Sequence, residues 1–272
     1  LVSSDKEKWV EAAQIEMNSL EEHGTWVLVE RPKDKNITTC KWIFKVKHDE
    51  FGQIEQYKTR LVARGFSQKY GQDYNEVFSP VCRWESVRAL ISLAVQNNMT
   101  LHQFDVETAF LNGWIKEELY MEQSEGFKKT GPKGEEMVCK MVRSLYGYKQ
   151  SPRAWNLVLD EALIAIGFQR CTSDPCIYVG RFCDDIVFMA VYVDDIILAS
   201  EKESTIQHIK ALFNEKYKIK DIGNLHYFLG VRVVQKPGAV VLCQNKHISN
   251  MLVKQRMQEC KPYTTPMETT TK

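Results

Sequence analysis

Charge of one sign is what this sequence has least of. Its 36 Lys and Arg stand against 35 Asp and Glu, a net of +1 over 272 residues, so affinity for a polyanion has to come from local clustering and not from bulk charge. It also lacks an apolar run of membrane-spanning length, an N-terminal signal pattern and any CxxC pair, although it holds 8 cysteines. Those absences predict an intracellular, cytoplasmic chain with reduced thiols and no membrane association. The nearest approach to a metal spacing, Cys171 to Cys176, has neither a second pair nor a nearby His, whereas zinc takes four converging ligands. No internal repeat or low-complexity tract is present.

What is there supports a folded chain. A hydrophobic share of 44% is ample for a core, in one large domain or two small lobes. Basic residues cluster: between Arg31 and Asp73 ten Lys and Arg face five acids, and between Lys128 and Arg153 seven face two. Two such patches suit a clamp on a polyanion, and equally suit solvated faces.

Periodicity sketches the elements. "SSDKEKWVEAAQIEMNSLEEHG" reads as a helix with a Ser4/Glu7 capping box, a face of Trp9, Ala13, Met17 and Leu20, and a stop at Gly24. "CKWIFKVKHDEFGQIEQYKTRLVARGF" alternates Trp42, Phe44 and Val46 with Lys41, Lys45 and Lys47 and predicts a hairpin turning near Gly52. A helix through Val87, Leu90, Ile91, Ala94 and Val95 ends at Asn97-Asn98, and a short strand then carries Asp105 near its end. "EQSEGFKKTGPKGEE" reads as a mobile loop. A helix over about 153–166 closes at Gly167, three strand-like runs follow, and Ser200 with Glu203 predicts a capped helix through Ile206, Ile209, Leu212 and Phe213. The last hairpin turns at Pro237-Gly238. From Asp105 onward the order strand, helix, strand, strand, helix, strand predicts an α+β fold with a split βαβ, ferredoxin-like antiparallel sheet.

Two acidic dipeptides, Asp184-Asp185 and Asp194-Asp195, flank the apolar run "IVFMAVYV". At about 3.3 Å per residue that strand keeps the pairs roughly 26 Å apart, at opposite ends of a sheet. Asp184-Asp185 reads as a polar turn facing water. Asp194-Asp195 suits a hairpin turn with solvated acids, or a metal site if Asp105 lies on a neighbouring strand. Three carboxylates there could hold two divalent cations, Mg²⁺ being the natural occupant and Mn²⁺ a substitute, with Asp194 the more direct ligand.

The segments "KTRLVARGFSQKYGQDYNEVFSPV", "FDVETAFLNG", "ELYMEQSEGF", "SLYGYKQSPRAW", "YVDD" and "KDIGNLHYFLGVRV" occur in an order and spacing that resemble the reverse transcriptase domain of copia-type LTR retrotransposons. The resemblance implies a right-hand polymerase: fingers over about 1–100 and 111–150, palm over about 101–110 and 151–235, and the start of a thumb or connection over about 236–272. It implies RNA-directed DNA polymerase activity, with an RNA or DNA template, a primer and dNTPs as partners. Carried over, Asp105, Asp194 and Asp195 would be the catalytic metal-binding carboxylates. Lys58 and Arg60 would meet the incoming triphosphate, or remain solvated strand residues. Phe110 would lie beneath the sugar and disfavour a ribose, or serve as core. Tyr146, Gly147 and Gln150 would line the nucleotide-binding loop. Tyr192, Phe228, Leu229 and Gly230 would touch primer and template, and Lys220 would protonate pyrophosphate or lie on the surface. Ser124 and Tyr148 depart from the family pattern, where proline and leucine are usual.

No aspartic-protease motif, integrase zinc motif or length for an RNase H domain is present, so the resemblance implies a piece of a Pol polyprotein, working in virus-like particles, with "KPYTTPMETTTK" as the onward linker, or a free-standing remnant of one. A co-opted copy that binds RNA without catalysis would share the fold. A palm-like nucleotide cyclase would share the paired acids but has no use for "KTRLVARG".

Overall fold

The computed structural model describes residues 5–48 and 53–262. α1 (Lys6–Glu22) forms because Ala12, Ala13, Met17 and Leu20 recur at helical spacing and are buried together. It begins after Asp5, and no side chain caps it; Ser4 of the expected capping box lies outside the described residues. β1 (Trp26–Glu30), β2 (Ile37–Thr38) and the long hairpin of β3 (Cys40–His48) and β4 (Ile54–Ala63) follow. The turn expected near Gly52 also lies outside the described residues. Trp9 of α1 packs edge-on against Phe44 and Tyr57 of the two hairpin arms, at 5.3 and 4.7 Å between ring centres, which fixes the helix along one side of the hairpin.

α2 (Trp84–Gln96) leads into β5 (Thr100–Val106), then come β6 (Tyr120–Met121) and β7 (Met137–Met141). β1, β7, β6 and β2 form a four-stranded sheet in that order, with β2 and β6 parallel. Met17, Leu20, Leu61, Leu119, Met121 and Tyr148 join α1, the hairpin and this sheet in one core. Ser124 and Tyr148 are both buried, so these departures alter packing and present no group to solvent. The expected mobile loop is pinned by Gln123, which donates to the carbonyls of Lys129 and Met137, each at 2.8 Å, and accepts from Lys129 N at 2.9 Å.

The second lobe contains α3 (Ser151–Ile166), β8 (Phe168–Arg170), β9 (Ile177–Phe182), β10 (Asp185–Tyr192), β11 (Asp195–Ser200), α4 (Glu203–Lys216) and β12 (Ile219–Asn224). α3 stops at Gly167, whose φ of 112° a side chain would resist. The six-stranded sheet is antiparallel throughout, in the order β12-β5-β11-β10-β9-β8. Its β12-β5-β11-β10 part with α3 and α4 is the expected split βαβ arrangement. Both faces are covered. Ile196 and Leu198 of β11 pack on the α3 and α4 side, while Ile197 and Ala199 pack on the α2 side. That double burial is why the strands read as unbroken apolar runs.

Sequence order places α2 with the first lobe. Its buried Val87, Leu90, Ile91 and Ala94 pack instead against Leu101, Ala190, Ile197 and Ala199 of the six-stranded sheet, so α2 belongs with the second. The chain continues through β13 (Tyr227–Phe228), β14 (Val231–Lys236), β15 (Ala239–Cys243) and α5 (Asn245–Lys254). β14 and β15 are the expected hairpin at Pro237-Gly238. α5, which sequence periodicity does not predict, buries none of its residues. No described helix is long and apolar enough to cross a membrane.

Candidate active site

Asp105 lies near the end of β5 and pairs in register with Asp195, the first residue of β11. A two-residue turn, Val193 and Asp194, connects Tyr192 at the end of β10 to Asp195. Val193 sits at φ +60°, a left-handed conformation that costs a β-branched residue about 1–3 kcal/mol. This is the backbone bend that lets adjacent carboxylates serve one place. The Asp194 carbonyl accepts from Val106 N at 2.9 Å, fastening the turn to the strand that carries Asp105. On the other side of β5, Lys220 of β12 is the register partner of Asp105. Register partners leave a sheet on the same face, so exposed Lys220 stands beside the carboxylates.

Burial, followed by the neighbouring charges of Asp194 and Asp195, pushes the Asp105 carboxyl from 3.8 to about 6, against a downward pull from Lys58. Burial also raises Asp195, opposed by the amide of Gln103, whose Nε2 donates to Asp195 Oδ1 at 3.2 Å. An upward shift of this kind is a stability statement. A carboxyl raised by folding contributes stability below its unfolded pKa and loses it as pH rises through the folded value. Asp105→Asn has no proton to lose. Without divalent cations its Tm is expected to match wild type near about pH 4 and to exceed it by a few degrees above about pH 7; thermal scans across this range check the sign.

The hairpin presents Lys58 and Arg60 toward this edge. Burial, then the charges of Arg60 and Lys47, lowers the Lys58 pKa, while Glu16 and Asp105 raise it. The Arg60 guanidinium lies 4.8 Å from the centre of the Tyr146 ring, and Tyr146 lies 4.9 Å from Phe110. Arg60, Tyr146 and Phe110 therefore form a contiguous series, the guanidinium over the Tyr146 ring and the two rings tilted at 56° to each other. Gly147 is required: at φ 95°, a Cβ there would lie 2.0 Å from the Ala63 carbonyl oxygen, which ends β4. Ala63 N donates to Tyr146 O at 2.8 Å, so the 146–147 loop and the hairpin base are one unit.

Other expected contacts are differently placed. Gln150 is 3% exposed and committed, donating to Asp73 O at 3.0 Å and accepting from Gln68 Nε2 at 2.9 Å. It braces two loops and does not face the cleft. Phe228 is 1% exposed, stacked on Trp84 at 6.5 Å and edge-on to Tyr192 at 6.4 Å. Of Phe228, Leu229 and Gly230, the exposed turn residues Leu229 (φ 48°) and Gly230 (φ 84°) between β13 and β14 are open to a partner. At the far end of β10, Asp184 is exposed but Asp185 is buried. Asp185 accepts from the Ser200 hydroxyl and from Lys202 N, so the pair is not a uniformly solvated turn. Ser200 is thereby drawn to Asp185 and does not cap α4, which no side chain caps.

The family model for reverse transcriptase (RNA-dependent DNA polymerase) matches residues 23–269. The chain belongs to the reverse transcriptase family. It is 40% identical over 266 residues to the retrovirus-related Pol polyprotein from transposon TNT 1-94 of Nicotiana tabacum, covering 97% of this chain and 20% of that protein. To the Pol polyprotein from transposon RE1 of Arabidopsis thaliana it is 38% identical, covering 96% and 18%. The chain thus spans about a fifth of the length of these curated relatives. A solved foamy viral protease-reverse transcriptase in complex with double-stranded DNA is similar at a TM-score of 0.46 and 16% identity, over 94% of this chain and 38% of that one. That likeness is too weak to carry an argument.

Members of the reverse transcriptase family generally use divalent metal ions. Among the described residues of this reverse transcriptase domain, no three Asp, Glu, His or Cys side chains close into a ready-made metal cage. Asp105, Asp194 and Asp195 offer hard carboxylate oxygens of the kind a divalent cation could take, with water and substrate phosphate completing its shell. Their mutual repulsion is what a cation relieves. Sequence reasoning missed Gln103 and Glu16. Gln103 is a buried polar residue two positions before Asp105 on the same face of β5, and its Oε1 is buried without a partner. Glu16 interrupts the buried stripe of α1 and accepts from Leu61 N at 3.2 Å beside Arg60 and Lys58.

Proposed function

We propose that this domain is an RNA-directed DNA polymerase that adds dNTPs to a primer 3′-hydroxyl. One observation carries the reading: Asp105, Asp194 and Asp195 share one sheet edge, and the basic hairpin residues Lys58 and Arg60 lean toward it. Two Mg²⁺ ions held by these three carboxylates, with Mn²⁺ as substitute, would activate the primer hydroxyl and neutralise the leaving oxygen. In the reaction the 3′-hydroxyl gives its proton to water and its oxygen bonds to the α-phosphorus, the bond from that phosphorus to the oxygen bridging to the β-phosphate breaks, and pyrophosphate leaves.

The remaining work is positioning and charge. Lys58 and the bidentate fork of Arg60 hold the triphosphate. Phe110, braced by Tyr146, lies under the sugar and excludes a 2′-hydroxyl. Lys220 gives a proton to pyrophosphate. Phe66, Tyr70 and Phe78 are 81%, 76% and 74% exposed, and Arg64 and Lys69 lie beside the first two in the chain; that composition suits stacking of unpaired template bases. The Leu229-Gly230 turn approaches the primer. In this reading the domain works within a longer Pol polyprotein, with RNase H and integrase as companions, in cytoplasmic virus-like particles.

Extension of a DNA primer on RNA and DNA templates tests the reading. Nucleotide addition with Mg²⁺ or Mn²⁺, weakening steeply as salt rises, is the expected result. Tight binding of primer-template with no product under either metal would leave a nucleic-acid-binding fold and end the polymerase reading.

A further inference from the structure

The catalytic turn is held from beneath by a side chain outside the acidic motif. Trp155, on α3, is 1% exposed, and its indole Nε1 donates to the carbonyl of Val193 at 2.7 Å. An indole offers one donor and no acceptor, so this bond uses its entire polar capacity. The acceptor is not an ordinary strand carbonyl. It belongs to the residue held at φ +60°, and its peptide plane leads directly into Asp194.

The geometry fixes what that bond controls. A peptide unit is planar, so anchoring the Val193 carbonyl sets the rotation of the plane between Val193 and Asp194. That plane sets the direction in which Asp194 leaves the backbone. Val106 N holds the next carbonyl, that of Asp194, at 2.9 Å. The turn is therefore pinned on both sides of Asp194, once from β5 and once from α3. Val193 by itself favours extended backbone, and without the α3 bond the turn has a reason to leave its strained form. The Trp155 ring cannot follow such a movement, because Tyr217 meets it edge-on at 5.3 Å and the Tyr217 hydroxyl is tied to Val158 O at 3.4 Å.

We propose that Trp155 is a positioning residue for the catalytic turn, acting through its indole N–H on the Val193 carbonyl to aim Asp194. The inference rests on the polymerase reading for its kinetic consequence, and has a second consequence that does not need turnover. Trp155→Phe keeps a buried ring and removes the donor; replacement of Trp155 by β-(3-benzothienyl)alanine keeps the full ring shape and removes only the N–H.

Both variants are expected to lower kcat for primer extension about tenfold, equivalent to about 1.4 kcal/mol, with KM for dNTP and affinity for primer-template unchanged. Both are expected to weaken Mn²⁺ binding to the protein, read by electron paramagnetic resonance, by a similar factor whether or not the protein turns over. In a Val193→Gly background, where positive φ is unstrained, the same replacements are expected to change kcat less than about twofold. Unchanged kcat and Mn²⁺ affinity in the benzothienyl variant would overturn the proposal. So would an equal loss in the wild-type and Val193→Gly backgrounds, which would make Trp155 a packing residue only. Absence of extension by wild type would count against the polymerase reading, leaving the Mn²⁺ titration to decide the role of Trp155.

Discussion

Asp194→Asn is expected to reduce primer extension by roughly a thousandfold, a loss of about 4 kcal/mol in transition-state stabilisation, while primer-template affinity is unchanged. The reason is charge and not shape. Asn has nearly the same outline, but it removes one of the two neighbouring charges that, after burial, help to lift Asp105 to about 6. A neutral amide cannot take up the charge that a cation brings. The control lies at the other end of β10. Asp184 occupies the turn between β9 and β10, exposed and at φ 66°, a conformation that Asn adopts readily. Asp184→Asn is expected to extend primers within about twofold of wild type. Single-turnover extension by the two variants beside wild type reads both, and equal product from Asp194→Asn would reassign the site.

The next residue along from that control should behave in the opposite way, in stability and not in catalysis. Asp185 is 3% exposed. Burial pushes its pKa up, but the hydroxyls of Ser200 and Thr205 and the backbone N–H groups of Lys202 and Glu201 outweigh burial and hold it below the usual carboxylate range. These donors lie at the start of α4 or just before it, where a helix favours negative charge. Asp185→Ala strands several buried donors and is expected to destabilise the fold by roughly 3 kcal/mol, or about 6–12 °C in Tm. Asp184→Ala is expected to stay within about 0.5 kcal/mol.

The sign of the pH dependence follows from the depressed pKa. Stability from Asp185 is present above the unfolded carboxylate value and is lost as pH falls through the folded one. The gap between wild type and Asp185→Ala should therefore close below about pH 4. Denaturant unfolding at neutral and acid pH measures it. A constant gap would mean that packing, not the ionised carboxylate, holds the end of α4.

Much of this was legible along the chain. Alternation found the β3–β4 hairpin, helical spacing found α1 to α4, and the split βαβ order matched the sheet, while the register that brings Asp105 to Asp195 came from the structure. Misplacements came where contacts distant in sequence decided. α2 follows the hairpin in sequence but buries its stripe on the six-stranded sheet, because that sheet has two apolar faces and α3 and α4 cover one. Gln150 and Phe228 carry the residue types of a binding surface, yet their side chains are consumed by Gln68 and Asp73 in one case and Trp84 in the other.

The two acidic dipeptides show the division most clearly. Locally they are alike. In each, the first Asp is the second residue of a two-residue turn and the second Asp begins a strand, paired with Phe182 in one and Tyr192 in the other. By itself the sequence determined that a doubly buried strand separates them, since its apolar run fits only a central strand and its length keeps the pairs at opposite ends. Only the tertiary structure decided their fates. The approach to α4 and its first turn set backbone and hydroxyl donors around Asp185 and make it a structural anchor, while β5 sets Asp105 against Asp195 and makes the other pair a site of repelled charge. A carboxylate is stabilised or strained by what surrounds it in space, and neither neighbour is adjacent in the chain.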